Sequence, residues 1–144
     1  SIWEDMIIYT ADNFFNNLEN LKEFVFQIKM SDQTWSFLSK HFLRWTKLVT
    51  VFLELTVGIE ESQRIIPRSL FQNNELLESV QISLFDEPFM IENKFLANKP
   101  KLRKVSVLNK IDPISNMIPS DIFENSTNVV EINMVNCGFK NFDP

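Results

Sequence analysis

Large apolar residues recur along the chain in the order L-x-x-L-x-L. Five segments carry it: Leu21/Phe24/Phe26, Leu48/Val51/Leu53, Leu77/Val80/Ile82, Leu102/Val105/Val107 and Val129/Ile132/Met134. Their first positions lie 27, 29, 25 and 27 residues apart. A period of that length decides the architecture before any local propensity does. Within each match the last two apolar positions are two residues apart, the spacing of one face of a strand. Val51, Val80, Ile82, Val105, Val107 and Ile132 add the β-branched side chains that strands favour. The pattern predicts strands near residues 21–26, 48–53, 77–82, 102–107 and 129–134, about five repeats within residues 1–144.

A second register runs independently of the first. Six residues before each match stands an aromatic ring or a leucine, at Phe15, Phe42, Phe71, Leu96 and Phe123. Leu70-Phe71, Phe95-Leu96 and Ile122-Phe123 are apolar pairs at this register, and an Ile-Pro pair precedes two of them at Ile66-Pro67 and Ile118-Pro119. Fourteen Phe against two Gly now have a cause. A ring at the same height in every turn stacks into a column, and each buried ring contributes about 1.5–3 kcal/mol. The stretch LENLKEFVFQI also reads at a spacing of 3.6, as a helical bundle would. Coincidence of two registers at five places favours the strands.

One parallel strand per repeat, joined by irregular or short helical return segments, is the logic of a leucine-rich repeat solenoid. The expected class is α/β, with a parallel sheet on the concave face. A regular repeat places Asn or Cys at its ninth position to bridge neighbouring backbones. Here that position holds Lys29, Thr56, Phe85, Lys110 and Cys137, so only the last fits. The first four turns are expected to lack the polar ladder. Variable paths are expected for KMSDQTW, TVGIEESQR, FDEPF and KIDPISN, and both ends of the fragment are expected to be uncapped.

A net charge of −5 argues against a nucleic-acid surface, which needs excess Lys and Arg to displace counterions. No apolar run is long enough to cross a bilayer, since LVTVFLEL is interrupted by Glu54. Ser1 begins the chain without a charged and apolar leader, so a signal peptide or anchor of the parent would lie outside these residues.

Candidate chemistry is sparse. Cys137 is the single cysteine, which leaves no disulfide within the chain and reads as a buried thiol at the Asn/Cys position. The single histidine, His41, beside Phe42, has no partner at a spacing suited to catalysis or metal binding and reads as a packed side chain. Phosphate-binding, zincin and nucleophile-elbow motifs are absent from the sequence. Enzymatic activity, a cofactor and a metal are not expected. The basic run KPKLRK reads as lateral charge pairing, with Arg103 beside Glu78 and Lys104 beside Glu131.

Binding is the better-supported chemistry. The middle position between the two strand apolars faces away from the core and holds Val25, Phe52, Gln81, Ser106 and Asn133. Val25 and Phe52 should be neighbours on the open sheet face, rimmed by Glu23 and Glu54, and an aromatic there suits an interface. A loop such as KMSDQTW folding over them is the competing expectation. Asn125-Ser126-Thr127 is the sole N-x-[ST] sequon, in a segment expected to be exposed, so Asn125 is a candidate for glycosylation.

The stretch DIFENSTNVVEINMVNCGFKNFDP resembles the extracellular repeats of insect Toll receptors, whose turns read LP-x-x-LF-x-x-x-x-x-L-x-x-L-x-L. IIPRSLFQNNELLESVQIS is similar in the same way. The resemblance runs from Asn13 to Pro144, with residues 1–10 as a preceding irregular turn. It implies a single-pass innate-immune or developmental receptor on the extracellular side of the plasma membrane. Such a receptor binds a secreted cystine-knot cytokine of the Spätzle type and signals by dimerisation. Its membrane anchor, cytoplasmic domain and cysteine-rich caps would lie outside this fragment. Two other classes share the repeat: a secreted scaffold of an immune protein complex, which the sequon also suits, and an intracellular adaptor, which the scarcity of cysteine suits.

Overall fold

A computed structural model of the protein describes residues 18–29, 32–56, 65–85, 89–110 and 114–139. Phe15 and the expected irregular turn at residues 1–10 lie outside them. The class is α/β, built on a five-stranded parallel sheet whose members follow chain order. They are β1 (Glu23–Lys29), β2 (Thr50–Thr56), β4 (Ser79–Leu84), β6 (Lys104–Asn109) and β8 (Glu131–Val135). Strand, not helix, is therefore the state of LENLKEFVFQI from Glu23 onward.

Register follows the apolar pattern. Phe24, Val51, Val80, Val105 and Ile132 are successive partners across the sheet, and Phe26, Leu53, Ile82, Val107 and Met134 form the next row. A slip of one residue would move every one of these side chains to the other face, which is why burial specifies the pairing so strongly. Val51, Val80 and Val105 are buried, together with Leu48, Leu77 and Leu102 that precede them.

The return side is more ordered than the expected variable loops. Part of KMSDQTW lies in the 13-residue helix α1 (Asp32–Arg44), where Phe37, Leu38, His41 and Phe42, followed by Trp45, supply a buried stripe at helical spacing. A 3-10 turn at Arg68–Phe71 follows Pro67, whose extended backbone cannot continue a helix backwards. Two further parallel pairs form: β3 (Ile65–Ile66) with β5 (Met90–Ile91), and β7 (Ile114–Ile118) with β9 (Cys137–Phe139). β7 takes in part of KIDPISN, because one strand per segment on the sheet side brings the return segments side by side as well.

Three rings stack as an aromatic column, two of them at expected posts. Phe42 and Phe71 meet edge to face at 5.2 Å, and the next ring, 5.4 Å from Phe71, is Phe95 and not the expected Leu96. Reversal of the dipeptide from Leu-Phe to Phe-Leu exchanges the two side chains, and both are buried. Phe123 is only partly buried.

Candidate functional site

Side chains of a strand alternate, so burial of Phe24, Val51, Val80 and Val105 and of Leu53, Ile82 and Val107 turns the intervening residues outward, although Phe26, expected in the core, is 40 % exposed at the β1 edge. Among the described side chains, five outward rows of three result: Glu23, Val25, Gln27; Thr50, Phe52, Glu54; Ser79, Gln81, Ser83; Lys104, Ser106, Leu108; and Glu131, Asn133, Val135. All four sequence candidates share this face. Val25 is the direct partner of Phe52, with Glu23 two residues before the one and Glu54 two residues after the other. Val25 is 60 % exposed, whereas Phe52 and Glu54 are half-buried, so the Phe52 ring is less open than expected. Ser83 faces the same way and is buried.

Charge on the face is unbalanced. Glu23, Glu54 and Glu131 stand against Lys104, and Lys104 Nζ lies 3.5 Å from Glu131 Oε2, the lateral pair expected from the sequence. Both partners are well exposed, so the pair contributes little to stability. Arg103 does lie beside Glu78, through its backbone N–H donating to Glu78 O at 2.9 Å. Among the described side chains, the end of the sheet formed by β1 and β2 is thus acidic with an apolar centre.

A polar ladder that the ninth-position rule missed supports this face from behind. Asn74, Lys99 and Ser126 each stand three residues before an L-x-x-L-x-L match, and each is buried. Asn74 Nδ2 donates to Phe42 O and to Trp45 O, both at 2.9 Å, capping carbonyls at the end of α1 that a helix leaves unpaired. Lys99 Nζ donates to Phe71 O. Ser126 Oγ donates to Leu96 O at 2.6 Å and accepts from Lys99 N at 2.8 Å. Every rung thus reaches the carbonyl of the residue six places before the preceding match. Burial pushes the Lys99 ammonium below the usual lysine range, and the nearby Glu75 carboxylate partly offsets this. Lys99 belongs to KPKLRK, so one member of that run is an interior residue.

The expectation of no ladder in the fourth turn also needs correction. Asn109, one place earlier than the rule, donates through Nδ2 to Asn136 O at 3.0 Å, and Asn136 Nδ2 donates back to Asn109 O at 3.2 Å. Asn136 has φ 56, a conformation that Asn tolerates better than most residues. Cys137 is half-buried, its Sγ 3.1 Å from Val135 O and 3.6 Å from Val107 O. Burial raises its thiol pKa, and a hydrogen bond with the Asn109 backbone works against that rise. His41 is fully buried, its ring 4.8 Å from that of Phe37 and 5.4 Å from that of Trp45.

Asn125 is exposed, as the sequence suggested. No helix of the described residues is long and apolar enough to cross a membrane. Comparison with protein-family models, with curated proteins and with solved structures finds no match to this chain.

Proposed function

We propose that the chain is a stretch of leucine-rich repeat solenoid from a Toll-type receptor ectodomain, whose outward sheet face recognises a secreted protein ligand of the cystine-knot type. Receptor dimerisation would then carry the signal. The observation behind this reading is the apolar pair Val25 and Phe52, adjacent on an outward face that is otherwise mostly polar and acidic at that end. Such a patch suits a ligand with an apolar anchor and a basic rim, since complementary charge steers encounter and an aromatic centre holds the complex. The five-strand register and the recurring Ile-Pro and Leu-Phe positions support the repeat class.

Titration calorimetry with a Spätzle-type cytokine tests the proposal. Phe52→Ala is expected to weaken binding by roughly 1–3 kcal/mol, while the protein stays folded because the half-buried ring lies on the outward face and not in the core. Unchanged affinity in a folded Phe52→Ala protein would move the ligand site off this pair.

A further inference from the structure

The sequon at Asn125 lies in a turn that leaves the Asn125 carboxamide exposed and bonded through one of its two hydrogens. Asn125 is exposed and has φ 61, and the equivalent residue 27 positions earlier, Asn98, is exposed with φ 56. Asn125 Nδ2 donates to Asn98 Oδ1 at 3.1 Å. Asn98 is itself fastened by its backbone N–H, which donates to Glu124 O at 2.8 Å. A primary amide has two N–H donors, and Asn98 takes one of them.

We infer that Asn125 carries an N-linked glycan and that Asn98 holds the modified carboxamide. In the transfer, Nδ2 bonds to the anomeric carbon of a lipid-linked oligosaccharide pyrophosphate. The bond from that carbon to the pyrophosphate oxygen breaks, the lipid pyrophosphate leaves with the electron pair, and the amide gives up one proton. The remaining N–H keeps the bond to Asn98, so the glycan adds to the turn without breaking it. Ser126, by contrast, is 7 % exposed, and its hydroxyl is bonded to Leu96 O and to Lys99 N. The tripeptide is accessible as an extended segment only before this turn closes, so transfer precedes folding. Asn125 lies in the connection leading into the N-terminal end of β8, and a glycan there shields that flank while leaving Val25 and Phe52 open at the far end of the sheet.

The inference rests on the extracellular reading and is tested separately from ligand binding. The full chain, secreted from insect cells behind an added signal peptide, is weighed intact before and after amidase release of N-glycans. The expected result is a carbohydrate mass increment that the amidase removes, converting Asn125 to Asp, and that is missing from Thr127→Ala, whose altered side chain is exposed. Asn98→Ala is expected to keep the increment but to lose glycan faster under native amidase treatment. A secreted, folded chain at its polypeptide mass overturns the glycan, and an unchanged release rate in Asn98→Ala overturns the positioning. Neither outcome touches the Phe52→Ala titration.

Discussion

Phe71 is fully buried between two other rings, so its packing is the clearest single-residue contribution to stability. Phe71→Ala is expected to destabilise by about 3–5 kcal/mol in urea unfolding, as the lost ring leaves a cavity that the column cannot close. A loss below about 1 kcal/mol would mean that the site collapses freely. Lys99 makes a different test. Burial lowers its folded pKa below the usual 10.5, so between those two values the unfolded chain binds more protons and stability rises with pH. Lys99→Met lacks this term. Its stability relative to the native chain should therefore be highest near neutral pH and fall as pH approaches 10.5, which paired urea titrations would measure. A pH-independent difference would show that Lys99 does not titrate in this range.

At the scale of elements, strands were easier to read than return segments. Alternation is local, and Val80 with Ile82 or Val105 with Val107 declares a buried face without reference to anything distant. The pattern of helix α1 is present in the sequence, since Phe37, Leu38, His41, Phe42 and Trp45 follow helical spacing, but the repeating register marks only Phe42 among them. The short strands β3, β5, β7 and β9 carry little pattern of their own. They pair because the sheet has already brought their segments together. Hydrogen exchange should rank the elements accordingly. The amides of β2, β4 and β6, with partners on both sides, are expected to exchange slowest and those of the outer strands β1 and β8 faster. Equal protection of β8 and β6 would show that β8 has a partner along its outer edge.

For the molecule as a whole, the described core is most open at β8. Val105 is 1 % exposed, but its partner Ile132 is 51 % exposed, and Val130 and Val135 are exposed as well. A strand that is outermost among the described residues and carries exposed apolar side chains is a template for association. These 144 residues expressed alone are expected to self-associate with rising concentration in sedimentation velocity. Ile132→Lys should shift them toward monomer, and a native chain that stays monomeric would contradict the prediction. The sequence by itself determined the α/β class, a parallel sheet of five strands in chain order and their mutual register, because a period-two pattern repeated every 25–29 residues admits one alignment that buries most of its apolar positions, although each strand begins two residues after the first apolar position of its match. It also placed Val25, Phe52, Glu23 and Glu54 on one face. Only the tertiary structure decided that Phe95 follows Phe71 in the column, that Asn74, Lys99 and Ser126 are the rungs of the ladder, and that Ile132 lies open. Those outcomes depend on which backbone carbonyls and rings meet across neighbouring segments, and no spacing within one segment encodes that.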